Sequence, residues 1–400
     1  MRDGWEIKKL GDLCEFQRGL TYTKTDEVEI SDNIVLRATN IDLSTNLLNL
    51  SELKYISDRV AVPDSKKVSK NSMMICTASG SKSHLGKVAY IDDDYGYAFG
   101  GFMGMITPKS ALLPRYLFHL MTSDAYKDFI GKVSDGANIN NLKFDDLRGF
   151  LVPLPSISEQ QRIVSILDQV FEGIATAKAN AENNLKNARQ LFESHLNSVF
   201  SQRGEGWVEK QLQQTGITQT GSTPKTLVIT NYGEYIPFVK PADFNKDGSL
   251  DYDKDKLSKQ GFEQARKISA GSVLMVCIGA TIGKCGYCDR DVTSNQQINS
   301  YTPFDAVDHK FIFYQMLTRN FQQRVIQNSA QATLPIINKS KWSSLNVWLP
   351  PDLTQQRQIV VKLDILSDET QRLESIYQKK IEALDALKKS ILQKAFSGKL

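Results

Sequence analysis

The sequence has no apolar run approaching the ~20 residues that a membrane helix needs. Its opening, MRDGWEIKKL, has no apolar core of signal-peptide type. No glycine-rich fingerprint for S-adenosylmethionine, no Asn-Pro-Pro-aromatic loop and no G-x4-G-K-[ST] phosphate loop is present. The near matches GATIGKC (279–285) and GSKSHLGKV (80–88) read as turns between strands with a lysine at the tip. VPDSKK (62–67) could begin a nuclease-like pattern, but no acidic-x-Lys partner follows it. The four histidines, His84, His119, His195 and His309, are scattered and offer no triad or metal motif. Cys285 and Cys288 have CxxC spacing, yet no second pair completes a zinc site. The five cysteines are odd in number and unevenly spread, which fits a reduced, cytoplasmic protein better than a disulfide framework. Net charge is only +4, which neither demands nor excludes nucleic acid, because a local basic face can sit on a nearly neutral chain.

What is there is a globular composition, 41% hydrophobic and 24% charged, over 400 residues, too many for one ordinary core. An internal repeat organises it. PSISEQQRIVSILD (155–168) and PDLTQQRQIVVKLD (351–364) align without a gap, as do SHLNSVFSQRG (194–204) and SILQKAFSGKL (390–400). GWEIKKL (4–10) pairs with GWVEKQL (206–212), and IVLRATNID (34–42) resembles IPFVKPADF (236–244). The order is therefore variable unit, helical unit, variable unit, helical unit.

From Glu159 to about Val199 there is no proline and a single glycine, Gly173. Ile163, Leu167, Val170 and Ile174 begin a 4-3-4 apolar spacing that continues through Leu185. Ile359, Leu363, Leu366, Leu373, Ile381 and Leu384 repeat nearly the same phases, with Thr370 and Lys388 as flaws. Each helix spans roughly 60 Å and must bury its stripe. The repeat is the obvious partner, which predicts an antiparallel coiled coil with a pseudo-two-fold relation. Ser158 and Thr354 read as N-caps, Ser158 with Gln161 as a capping box, and the glutamines and arginines of both entrances as facing solvent or a partner protein. The variable units read as mixed α+β. Strand-like runs such as NIVLRA, SMMICTA, GSVLMVCI and QINSYTP precede one helix over 114–130 and another over 309–326. The expected boundaries are 1–157, 158–203, 204–353 and 354–400.

With catalytic motifs missing, binding chemistry remains. Loops rich in amide, small polar and basic residues recur at corresponding places. In the first unit they offer Arg37, Asn40, Ser79, Ser81, Lys82, Lys87, Asn138, Asn140, Asn141 and Lys143. In the second they offer Lys240, Thr281, Lys284, Asn295, Gln296, Gln297, Asn338 and Lys339. Asn and Gln can bond adenine bidentately, Arg and Lys can bond guanine, and Ser, Thr and Lys hold phosphates.

The order of motifs resembles the specificity subunit of type I restriction–modification systems across the whole chain. The carriers are PLPSISEQQRIVSILD and LPPDLTQQRQIVVKLD, the two GW entries and the ending FSGKL. The first unit, with GLTYTK, ASGSKSHLGK and GANINN, is similar to a recognition domain of the K-type enteric branch. Gln355 stands where Glu is usual, and the first unit lacks the NQQ string of the second. The resemblance implies two α/β target-recognition domains separated by two long helices, and a chain that is not itself catalytic. Each domain would read one half of a split, asymmetric site on double-stranded DNA. The helices would act as spacer and would dock two modification subunits. Those subunits supply S-adenosylmethionine for adenine methylation, and restriction subunits cleave with ATP and magnesium. No cofactor and no membrane is expected for this chain. A catalytic methyltransferase or nuclease, or a protein-only scaffold, are the rival readings.

Overall fold

The computed structural model describes residues 4–80, 84–135, 141–330 and 334–400. Contacts divide the chain into two units, Met1–Asn180 with Lys380–Leu400, and Ala181–Lys379.

In the first unit the GW entry leads into strand Glu6–Lys9, which pairs antiparallel with Leu151–Leu154 just before the first long helix. A four-stranded antiparallel sheet has the order Cys14–Arg18, Met103–Pro108, Met73–Cys76, Val88–Tyr90. Its two central strands are almost wholly buried, as their continuous apolar runs require. A second sheet orders Glu27–Val28, Lys54–Ile56, Asn33–Leu36, Ala98–Phe99, and its last pair is parallel.

The second unit repeats this plan. Val208–Gln211 pairs with Asn346–Leu349. The four-stranded sheet runs Gly216–Thr220, Ile298–Pro303, Val273–Val276, Cys285–Tyr287. The smaller sheet runs Lys256–Leu257, Tyr232–Val239, Thr293–Ser294, again with one parallel pair. Two sequences that share little beyond a skeleton thus build one topology.

Where one helix was expected after the sheet, each unit has two. They are Pro114–Thr122 and Asp124–Asp135 in the first unit, and His309–Leu317 and Arg319–Asn328 in the second. The break falls on Ser123 and Thr318. Each hydroxyl donates back to the ending helix and accepts the N–H three residues ahead, so one side chain ends a helix and starts the next.

The long helices are Ile157–Ser201 and Leu353–Phe396, of 45 and 44 residues. Their caps lie two residues earlier than the sequence suggests. Ser156 Oγ accepts the Glu159 N–H at 3.4 Å, and Asp352 Oδ1 accepts the Gln355 N–H at 2.9 Å. Nor are the entrance glutamines all in solvent. Gln160 is fully buried; it accepts the Leu113 N–H at 2.8 Å and donates to the Ala111 and Pro155 carbonyls at 3.0 Å. Gln356 accepts from Asp308 at 2.9 Å and donates to Ala306 at 3.1 Å. The repeated QQR entrance is a staple that ties each long helix to the turn before Pro114–Thr122 in the first unit and before His309–Leu317 in the second.

Within each unit the two helices run antiparallel. In the first, Ile163 and Leu167 share a core with Leu392 and Ala395, and Lys178 pairs with Asp385 at 2.7 Å. In the second, Leu196 and Phe200 share a core with Val360 and Leu363, and Arg189 pairs with Glu374 at 2.8 Å. Of the predicted seam, Ile163, Leu167, Ile174 and Leu363 are buried, and Val170, Leu185, Ile359, Leu366, Ile381 and Leu384 are half-buried. Leu373 is the correction, with 37% of its surface exposed. Thr370, the expected polar flaw in the seam, is buried, so the stripe keeps its phase there and carries a hydroxyl. Lys388 stays in the seam by resting its ammonium 5.2 Å from the centre of the Phe171 ring.

Asp168 and Asp364, which end the two repeated entrances, are clamped by the helix that follows each sheet. Asp168 accepts from Arg115 and from His119 Nε2. Asp364 accepts from Lys310 at 2.9 Å and from the Tyr314 hydroxyl at 2.6 Å.

Candidate nucleic-acid interface

In the first unit, Val35 and Leu36 lie parallel to Ala98 and Phe99. The chain then passes through Gly100–Phe102 before Met103 pairs with Cys76. The Phe102 carbonyl accepts the N–H and the hydroxyl of Thr77, both at 2.9 Å, and the Ala78 N–H at 3.2 Å. The Thr77 carbonyl in turn accepts the Leu142 N–H at 2.7 Å, and Ala78 forms a bridge with Asn141. This mesh draws together the loops around residues 37–39, 78–79, 100–102 and 141. The first three of these line a cleft of about 610 Å³, together with Tyr22 and Lys24.

The second unit repeats the mesh. Phe238 and Val239 lie parallel to Thr293 and Ser294, the Asn295 N–H bonds the Val239 carbonyl at 3.2 Å, and Asn295–Gln297 precede Ile298 opposite Val276. The Gln297 carbonyl accepts the Cys277 N–H at 2.7 Å, the Cys277 carbonyl accepts Ile337 at 3.0 Å, and Ile278 bridges Ile336. Position by position, Arg37 answers to Lys240, Asn40 to Asp243, and the GGF of 100–102 to the NQQ of 295–297.

Arg37 is half-buried in the cleft, and its Nε has no partner among the described residues. Ser79 is half-buried beside it; Asn141 and Lys143 are exposed. Lys87 is half-buried just before the strand Val88–Tyr90, and desolvation lowers its pKa. Ser81, Lys82, Asn138 and Asn140 lie outside the described residues. Asn40 is a correction. It is buried, its Oδ1 accepts the Arg37 N–H at 2.8 Å, and its Nδ2 donates to the Asn49 and Glu52 carbonyls. Those bonds consume the side chain inside the fold, and Asp243 accepts the Lys240 N–H in the same way at 2.7 Å.

In the second unit Lys240 is paired with Asp255 at 2.8 Å, so its charge is largely offset. Asn295 and Gln297 orient each other. The Asn295 amide donates to Gln297 Oε1 at 2.9 Å, and the Gln297 N–H returns to Asn295 Oδ1 at 3.1 Å. Gln296 is exposed and accepts the Thr223 hydroxyl. Thr281 is exposed at the hairpin tip and Lys284 is half-buried behind it, with Gly283 in the left-handed region at φ 90°. Asn338 and Lys339 are exposed, and Asn338 caps its short helix through the Lys341 N–H at 2.9 Å.

These surfaces offer amides, hydroxyls and cations at fixed positions, the groups that bond base edges and phosphates. All five cysteines are buried and free. Among the described residues no group of His, Cys, Asp and Glu could hold a metal ion, and no helix is long and apolar enough to cross a membrane. Sequence reasoning missed Phe102 and Tyr22. The signal for Phe102 was the equal length of GGF and NQQ between matching strands.

A family model for the type I restriction modification DNA specificity domain matches residues 2–187 and again 204–383. The type I restriction enzyme StySPI specificity subunit of Salmonella potsdam is 25% identical over 430 residues, covering 100% of this chain and 89% of that protein. The EcoKI specificity subunit of Escherichia coli K12 is 30% identical over 183 residues, 45% of this chain and 39% of that one. Among solved structures, a chain from work on complex assembly and conformational transition of the type I R-M system superposes with a TM-score of 0.80. It is 20% identical and covers 100% of this chain and 99% of its own. The HsdS subunit from Thermoanaerobacter tengcongensis gives 0.61 at 20% identity, covering 100% and 98%.

Proposed function

The chain belongs to the type I restriction modification DNA specificity family, and from that premise we propose that its two units read different halves of one split DNA site. It is the DNA sequence-specificity subunit of a type I restriction–modification complex, whose partners are DNA and the methyltransferase and restriction subunits. The observation that carries the proposal is the shared frame with unlike side chains, GGF against NQQ and Arg37 against Lys240. Two unlike readers call for an asymmetric site rather than a palindrome.

In the second unit Gln296 and Gln297 suit an adenine edge, and Thr281, Lys284 and Lys339 suit phosphates. In the first, Arg37 suits a guanine or a phosphate, with Ser79 beside it, and the exposed Asn141 and Lys143 offer further polar groups. The paired helices dock two modification subunits, one for each half-site, and those subunits flip and methylate adenine. The helices also set the spacing, with roughly 18 base pairs as an upper bound.

Methylome sequencing of a host with and without this gene tests the reading. A bipartite, asymmetric methylated motif that disappears on deletion is expected. Exchange of residues 295–297 should alter one half only, and deleting four residues within a long helix should change the spacing or break assembly. Methylation or cleavage by the purified chain alone would overturn the reading. Absence of sequence-dependent binding with modification subunits present would favour a protein-only scaffold.

A further inference from the structure

We infer that Phe102 packs against the 5-methyl group of a thymine, so that the first unit reads one base of its half-site by apolar contact alone. The inference rests on the proposed reading of DNA by that unit. It begins from the equivalence of Phe102 and Gln297. Both are the third residue of a three-residue crossing from a parallel strand into the central sheet. Both carbonyls are held by the N–H of the residue that follows the neighbouring strand. Whatever one side chain does to DNA, the other is placed to do from the same frame.

Phe102 leaves 74% of its surface exposed, unusual for a large apolar ring on a rigid loop. Its carbonyl holds three bonds, two from Thr77 and one from Ala78, so the backbone beneath the ring is fixed. Gly100 and Gly101 precede it and raise no side chains around it. The ring stands at the cleft that Arg37, Tyr22 and Ser79 also line. Such a ring has neither donor nor acceptor and cannot read a hydrogen-bond pattern. In the major groove the one apolar mark on a base edge is the thymine methyl group. Gln297 offers the opposite chemistry, an amide already oriented by Asn295. The absence of NQQ from the first unit therefore marks a change of reading chemistry.

The test uses the chain assembled with its modification subunits on the duplex defined by methylome sequencing. Each thymine is replaced singly by deoxyuridine, which removes only the methyl group. One replacement should weaken the wild-type complex about 4-fold to 10-fold. F102A should weaken the thymine duplex by a similar factor and lose nothing further on that uracil duplex. F102L should recover part of the loss. Unchanged discrimination at the remaining positions of the same half-site would show that the first unit is folded in F102A. A half-site without any A·T pair, uracil duplexes that all bind like thymine duplexes, or F102A binding like wild type would overturn the inference. An F102A loss with no uracil effect, together with unstacking of a 2-aminopurine probe by wild type, would identify a wedge between bases instead, and would also overturn it. A wild-type complex without sequence preference would sink the proposed function with it, whereas a sequence-specific complex indifferent to F102A would sink this inference alone.

Discussion

Asp168 accepts a hydrogen bond from His119 Nε2 at 2.7 Å, inside the long helix Ile157–Ser201 at the end of its repeated entrance. Arg115 reaches the same carboxylate and lays its guanidinium over Tyr90 and Phe118, 5.1 and 4.9 Å from the ring centres. Asp168 is held below the usual carboxylate range, burial opposing and the bonds from His119 and Arg115 prevailing. A carboxylate can only accept, so neutral His119 donates. Burial is the largest influence on His119 and lowers its pKa; Arg115 and Lys388 push the same way, and Asp168 pulls against them.

The lowered His119 pKa gives the first unit a pH dependence. Above about 6.5 the imidazole is neutral in both folded and unfolded chains and the full stability is present. Below it the unfolded chain binds the extra proton first, so stability falls with pH. Urea midpoints at pH 7.5 and 5.5 should show this loss, and H119Q should flatten it. A steeper fall in H119Q would contradict the assignment. Asp168, with its depressed pKa, adds a second loss only below about pH 4.

Asp364→Asn removes the charge that holds Lys310 while leaving a group able to accept from Tyr314. Because both charged side chains are about one-third exposed, the cost should be modest, about 1 kcal/mol. Asp364→Ala also strands the Tyr314 hydroxyl and should cost about 2 kcal/mol. Denaturant titration of the two variants checks the order.

Gln160→Ala would leave the Leu113 N–H and the Ala111 and Pro155 carbonyls without their partner in a buried site. A loss of about 2–4 kcal/mol is expected. Gln161, exposed one residue on, should tolerate Ala within about 0.5 kcal/mol. Equal effects in chemical denaturation would refute the staple.

Leu167→Ala empties a fully buried position and should cost about 2–5 kcal/mol. Leu373→Ala, at an exposed position of the same sequence pattern, should cost less than about 1 kcal/mol. Thermal unfolding of both variants separates seam from pattern.

Burial pushes the Cys14 and Cys277 thiols up to about 12 and Cys288 to about 11, and it also raises Cys76 and Cys285. Thiols so raised stay protonated at pH 8 and are poor nucleophiles. Native protein should react negligibly with iodoacetamide, whereas all five cysteines should react in denaturant. Rapid labelling of Cys285 or Cys288 in the native chain would contradict this.

The long helices were legible because apolar spacing and the lack of proline are local properties. Their caps were not, because Ser156 and Asp352 lie beside prolines that also signal the end of a strand. Gln160 and Asn40 were misread for a shared reason. An amide side chain looks the same in sequence whether it meets solvent, DNA or a buried backbone group, and only the fold brings the deciding partner to it. The breaks at Ser123 and Thr318 were hidden inside otherwise helical apolar patterns. Phe102 was hidden by composition, since GGFMGMI reads as the start of a core strand. Alignment of the two units through their parallel strands, rather than by residue similarity, brings it out.

The bonds that fix the Gly100–Phe102 and Asn295–Gln297 crossings come mainly from neighbouring main chain, with the Thr77 hydroxyl added in the first unit and the Asn295 side chain in the second. The framework therefore holds the position of these residues while leaving their chemistry largely unspecified. Glycine, phenylalanine, asparagine and glutamine already occupy it without a change in topology. Such a crossing behaves like a type-slug in a press: its seat is cast once, and its face can be recut without disturbing the forme.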